Sequence, residues 1–586
     1  MKTAAAMLFF LAIVTSAPRA GGGEDGAQGW TREEMGAAGK LKGQTLKLRL
    51  LPDGRPFPAG FDCDRKPAAC RFELAYFLSP GFDAARKERL NILFIPGGPG
   101  AIVDPSNRWT ALQALEAKHN VVYFHPRGMG QSAIDGALGY DQFLRADYVV
   151  DDIEQIRREV LKSRPWDAIY GHSWGTVIAQ RYAARYGQGK DAKVKSLILS
   201  GPVDRHRRDT QKARAAMIVE NLKAILNYYR SPGTQCGCRS DSFLKSKVVD
   251  FSSPQISTFG TPLAANDNFC FLDAQRIDAI AARLRAALDT IDAEFGSADF
   301  IVDNFAALKN DKEFHSRFAG LPVEFFAAIR YLQMAGAPEN DGLVFVADSR
   351  SRIDAALIIA HDLGSAEPGG CNSKEIFAGA GADCAYCDRL KAARQELRPR
   401  GGGESQRGSY VFGVYDGVTR WLPVVMGVQG CFTGADIAAF DKGSGKEFAR
   451  AQARKIGVVA GEKICPWNPA DFRHEVPALL IKGSRDAVVA GCQAEDFLLH
   501  GIKEGRGVLL EFRGLGHDMS VGNLYEGADP SKWSERFATL LEEFVKMSGD
   551  VNQFRSAARV RGEWTRLKAA DRTRDPNLAK QCGKNS

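Results

Sequence analysis

The chain has 586 residues and a formal net charge of +8. Its 45% hydrophobic and 25% charged residues are those of a globular protein able to bury a large core, which excludes a disordered or low-complexity chain. Lysines and arginines are mostly interspersed with acids, so no nucleic-acid partner is expected.

The first residues, MKTAAAMLFFLAIVTSAPRA, place Lys2 before an apolar run from Ala4 to Val14 and then small residues. That layout predicts a secretory signal peptide over residues 1–20, too short to span a bilayer. No later segment reads as a membrane span, so no stable membrane insertion is expected once the signal is removed. Twelve cysteines, an even count, fit an oxidising compartment, and together the two features predict export to the periplasm or beyond the cell.

Apolar and β-branched runs then alternate with helical spacing, the pattern of parallel strands joined by crossover helices. Strands are read near Phe72–Leu78, Ile92–Ile95, Val121–Phe124, Ala168–Tyr170, Ser196–Leu199, Leu479–Lys482 and Val508–Phe512. Helices are read over Arg108–Lys118, Tyr148–Leu161 and Thr176–Tyr186. The series is interrupted once, by a helix-rich stretch with helices near Ala213–Tyr229, Ala274–Phe295 and Val323–Ala335. The predicted organisation is therefore an N-terminal extension with the first part of a core over 21–204, an inserted cap over 205–474, the second part of the core over 475–550 and a basic tail over 551–586. Arginines 555, 559, 561, 566, 572 and 574 mark that tail, which reads as a solvated face.

The chemistry-bearing signal is Gly171-His172-Ser173-Trp174-Gly175, lying between the strand of WDAIY and the helical run TVIAQRYAARY. A strand, a sharp turn and a helix are the context in which a G-x-S-x-G serine becomes an exposed nucleophile. A serine hydroxyl is a weak nucleophile and needs a base oriented by a carboxylate. Downstream, ALLIKG runs into Ser484-Arg485-Asp486 and VLLEFRG into Leu515-Gly516-His517, so an acid and then a histidine follow at strand ends in the order this fold uses. Ser173, Asp486 and His517 are the predicted catalytic residues, with Asp496 as the fallback acid. His474 and His500 read as packing or surface histidines. The strand NILFI ends in Pro96-Gly97-Gly98-Pro99-Gly100, and glycines let backbone approach a substrate oxygen. The N–H groups of Gly98 and Trp174 are assigned to an oxyanion hole. The expected fold is an α/β-hydrolase with a mostly parallel sheet and a large, mainly helical inserted cap.

These residues resemble the serine peptidases of the proline iminopeptidase and tripeptidyl aminopeptidase type. PGGPG matches that family's H-G-G-P-G loop at all but its first position, and His125-Pro126-Arg127-Gly128-Met129-Gly130-Gln131-Ser132 is similar to its D-x-R-G-x-G-x-S segment. Pro96 and His125 are the two departures. Cys63 and Cys70 are similar to a cysteine pair of secreted members, and Cys431 with Cys465-Pro466-Trp467 resembles the closing part of the family's cap, which implies a Cys431–Cys465 disulfide. The resemblance covers about half of the chain and implies release of residues or short peptides from peptide amino termini through an acyl-enzyme. A short peptide is then the partner, and no metal or organic cofactor is implied. Such caps hold the substrate's free amino group with acidic side chains. Glu324 and Glu339 are candidates by position alone. An esterase or lipase-like enzyme with the same three residues is the rival reading, since the fold hosts both chemistries. Cys236, Cys238, Cys270, Cys371, Cys384 and Cys387 read as further disulfide cysteines whose pairing stays open.

Overall fold

A computed structural model describes residues 41–51, 57, 63–98, 102–103, 110–134, 143–204, 210–230, 274–302, 328, 331–332, 419–423, 425–428, 430–442, 449–450, 453, 463–513, 515–517, 530–547 and 549–582. Strands β1 (Lys42–Arg49), β2 (Arg71–Leu78), β3 (Asn91–Ile95), β4 (Asn120–Phe124), β5 (Ala168–His172) and β6 (Leu197–Ser200) precede the insertion. A small antiparallel pair follows, β7 (Phe432–Thr433) with β8 (Lys463–Ile464), and then β9 (Ala478–Gly483), β10 (Gly507–Phe512) and β11 (Ala569–Asp571). The main sheet has nine strands in the order β1-β2-β4-β3-β5-β6-β9-β10-β11. The run from β4 through β10 is parallel, while β1, β2 and β11 pair antiparallel at the two edges.

The α-helices among the described residues include α1 (Thr110–Glu116), α2 (Ala146–Leu161), α3 (Trp174–Tyr186), α4 (Thr210–Arg230), α5 (Ala274–Phe295), α6 (Gly434–Lys442), α7 (Gln493–Asp496), α8 (Pro530–Lys546), α9 (Val551–Ser556), α10 (Ala558–Arg566) and α11 (Leu578–Cys582). Successive strand residues point to opposite faces, so central strands buried on both sides must be apolar throughout. Leu197, Leu199, Ala478 and Leu480 pack with Ile153, Ile178 and Tyr182 of α2 and α3. Ile198, Leu479 and Ile481 pack on the other face with Leu112 of α1 and Phe537, Leu541 and Phe544 of α8. Burying each such side chain stabilises by about 1.5–3 kcal/mol.

Two expectations change. β1 lies outside the strands read from the sequence, because KGQTLKLR has only Leu46 and Leu48 as strongly apolar residues; it lies at the sheet edge with Lys42, Thr45, Lys47 and Arg49 exposed. The expected basic tail is a packed element: β11 pairs with β10, Phe554 and Val560 are buried, and Cys582 is bonded to Cys492. Its arginines are neutralised locally, Arg555 by Asp571, Arg559 by Glu543 and Arg572 by Asp575.

Disulfides also join Cys63 to Cys70 and Cys431 to Cys465. Among the described residues, no helix is long and apolar enough to cross a membrane. The predicted signal segment lies outside the described residues, as do Cys236, Cys238, Cys270, Cys371, Cys384 and Cys387.

Candidate active site

From β3 the chain moves outward to β4 and then returns to pair β5 on β3's other side. Ligands of open α/β sheets bind outside the carboxyl ends of the strands at such a reversal. The Gly97–Gly98 turn follows β3 and Ser173 follows β5, so both predicted parts of the site stand there.

Ser173 has φ 52° and ψ −122°, one of three non-glycine residues with positive φ among those described. A backbone in this region costs about 1–3 kcal/mol and persists only when its surroundings over-determine it. Here the Ser173 N–H donates to the Ser200 carbonyl at 2.8 Å, and the Ser173 carbonyl accepts from the Thr176 N–H at 2.9 Å and hydroxyl at 2.6 Å. The flanking glycines are steric necessities. A Cβ on Gly171 would stand 2.4 Å from the Gly175 carbonyl oxygen, and one on Gly175 would stand 2.2 Å from that of Ile95. Gly97 lies against the serine itself, since its Cβ position is 3.0 Å from Ser173 Cβ.

The predicted acid and histidine lie side by side. His517 Nδ1 and Asp486 Oδ2 are 2.8 Å apart, both side chains buried. The other carboxylate oxygen, Oδ1, accepts from the N–H groups of Val488 at 2.9 Å and Val489 at 2.7 Å. Burial alone would raise the carboxyl's pKa, but His517 and these amides outweigh it and hold Asp486 ionised, below its ordinary value. A carboxylate must accept, so Nδ1 carries the proton and Nε2 keeps its lone pair.

His172 flanks the site. Its ring centroid is 4.8 Å from that of His517, and its Nδ1 is 3.2 Å from the Ser200 hydroxyl. Burial, reinforced by His517, pushes its pKa well below the ordinary value, so it is a neutral wall beside the imidazole. Gly201, with φ +58°, closes the other contact: a Cβ there would lie 2.8 Å from His517 Cε1. Neither residue carried a sequence signal, since both act by shape.

The remaining predicted residues fall as follows. Asp496 is buried on α7, and the carboxylate bonded to His517 is that of Asp486. His500 is exposed, and His474 is buried with its pKa lowered to about 4 by desolvation. Gly98 adopts φ 111°, and Trp174 opens α3 as a buried residue. Glu324 and Glu339 lie outside the described residues.

His125, the departure from the family pattern, has a structural place. Its Nδ1 accepts from the Gln131 N–H at 3.0 Å, its Nε2 is 3.2 Å from the Val103 carbonyl, and its ring packs on Phe77. Arg127, two residues on, is fully buried and forks onto Asp152 at 2.7 and 2.5 Å, with a further bond to the Leu50 carbonyl at 2.7 Å. The segment therefore clamps the end of β4 to α2. At the exit of the insertion, Trp467 Nε1 donates to the Val203 carbonyl at 2.8 Å and its ring stacks on Phe472, joining the two ends of the inserted stretch.

A family model described as the alpha/beta hydrolase fold matches residues 91–229. A proline iminopeptidase of Arabidopsis thaliana is 34% identical over 111 residues, which is 19% of this chain and 26% of that protein. One of Chitinophaga pinensis is 22% identical over 139 residues, 24% of this chain and 44% of that protein. The matched segments thus span about a quarter and less than half of these curated relatives. The solved structure of VinJ aligns over 85% of this chain and 99% of its own, at 13% identity and a TM-score of 0.31. A thermophilic esterase from Thermogutta terrifontis aligns over 86% and 99%, at 11% identity and a TM-score of 0.31. The strand order, the strand-end position of the serine, acid and histidine, and the matching family model make this chain an α/β-hydrolase by fold.

Proposed function

We propose that the protein is an exported serine hydrolase that releases residues or short peptides from peptide amino termini. The observation that carries the reading is the buried Asp486–His517 bond beside the strained Ser173 turn. Ser173 Oγ attacks the scissile carbonyl while His517 Nε2 takes its proton, and Asp486 stays ionised and stabilises the imidazolium. The N–H groups of Gly98 and Trp174 face the oxyanion of the tetrahedral intermediate. Collapse expels the amine with the proton from His517, and water, deprotonated by the same imidazole, hydrolyses the acyl-enzyme.

The PGGPG loop and the iminopeptidase relatives favour a peptide substrate. Export is supported by the N-terminal apolar run and by three disulfides among the described residues. The sequence reading of residues 205–474 as an inserted cap supports a preference for short, flexible substrates. If acidic cap residues hold the α-amino group, losing that contact lowers kcat/KM by orders of magnitude, because binding energy there aligns the reacting carbonyl. Unblocked di- to tetrapeptide amides are therefore expected to be cleaved from the amino end, and their N-acetylated forms to be poor substrates. The test compares both with short-chain p-nitrophenyl esters on one preparation. Equal rates on free and blocked peptides would remove the aminopeptidase reading, and turnover confined to esters would establish the esterase alternative.

A further inference from the structure

Arg214 lies in the early part of α4, within the insertion, and is buried at 4% exposure. Its Nε donates to the Ala487 carbonyl at 3.1 Å and its Nη2 to the Val488 carbonyl at 3.0 Å, while Nη1 donates to Gln211 Oε1 at 3.2 Å. The contact spans 273 positions of sequence. Close approach is built in, since a Cβ on Gly491 of the same loop would lie 3.1 Å from Ala213 Cβ.

The two carbonyls are not arbitrary loop oxygens. The Ala487 carbonyl shares a peptide group with the Val488 N–H, and the Val488 carbonyl shares one with the Val489 N–H. Those are the two amides that donate to Asp486 Oδ1. Each arm therefore runs from guanidinium to carbonyl, through one peptide group, to the carboxylate. A cation bonded to an amide oxygen draws density from its nitrogen and strengthens the N–H as a donor, an effect enlarged where water is excluded. The forked guanidinium reaches both carbonyls at once, which the point charge of a lysine does not.

We propose that Arg214 is a positioning residue for the catalytic acid, through which the inserted segment fixes Asp486 and, through it, the imidazole of His517. The proposal rests on the reading of Ser173, Asp486 and His517 as the catalytic triad. With Arg214 present, part of the carboxylate's charge is offset through the two amides. Without it, the full charge acts on the imidazolium formed during the reaction, while the loop loses two bonds that orient Oδ2. Among the described residues His172 from β5 faces the imidazole and stays neutral, and Arg485 precedes the acid in the chain.

The test measures kcat, KM, the pH profile of kcat/KM and Tm for the parent, R214M, R214K and S173A on the best peptide substrate. R214M is expected to lower kcat about tenfold with KM within about twofold, and to move the acid limb upward by about half a pH unit. R214K keeps the charge, so its acid limb stays parental, while kcat falls about threefold because one carbonyl is released. Parental kcat and limb in R214M, or a loss that follows Tm alone with the limb unmoved, overturns the proposal. Should R214M not fold, parental kcat in R214K overturns it. Activity surviving in S173A removes the triad reading and this proposal together, whereas a dead S173A beside a parental R214M removes this proposal alone.

Discussion

Gly201 occupies a position where two constraints coincide: φ of +58° and a Cβ site 2.8 Å from Cε1 and 3.0 Å from Nδ1 of His517. Gly505 has φ +75° and nothing within 4 Å of its Cβ site. Both positions impose about 1–2 kcal/mol of backbone strain on alanine, but only one displaces the imidazole. Gly201→Ala is therefore expected to lower kcat/KM about 100-fold, while Gly505→Ala, which also lowers Tm, leaves turnover within about twofold. Kinetics and thermal unfolding of the two variants check this, and equal kinetics would contradict the packing argument. At this scale the serine, acid and histidine were legible because each ends an apolar strand in a fixed chain order. Gly201 and His172 were not, because a residue that acts by occupying or vacating space leaves no pattern in a single sequence. His125 was visible as a departure, but its bonds to Gln131 and Val103 emerge only from the folded loop.

Among elements, the strands buried on both faces were read to within a residue or two, because burial demands continuous apolar runs such as NILFI and ALLIKG. Edge strands escape that demand. β1 has only Leu46 and Leu48 as strongly apolar residues, and β11 has three residues, AAD, with no β-branched side chain. The C-terminal helices were misread as a tail because the arginines are visible in a row, whereas partners such as Glu543 and Asp571 are scattered. Cys492–Cys582 ties this region to α7 and closes a separation of 90 residues. In the chain-entropy account such a link contributes about 4.6 kcal/mol, so Cys492→Ser with Cys582→Ser should lower Tm by roughly 4 to 7 °C. Unfolding of the non-reduced proteins checks it, and an unchanged Tm would show that β11 and the buried face of α9 and α10 hold the region unaided.

Across the whole molecule, the candidate site is assembled from distant stretches: the turns after β3 and β5, the loop after β9, the residues after β10, and, in the proposal above, α4. Parallel-strand order brings the first four together and is written in the sequence as a succession of apolar runs. The fifth contribution is not, because which face of an inserted helix meets which loop depends on packing across 273 positions. The central claim is that Ser173 is the nucleophile activated by His517. Its most direct test is labelling of the intact protein with a fluorophosphonate probe, followed by peptide mapping by mass spectrometry. One label per chain is predicted, on the peptide containing Ser173, with the rate falling by roughly 10⁴-fold or more in His517→Ala. Labelling at another residue, or turnover of Ser173→Ala within about tenfold of the parent, would contradict the account.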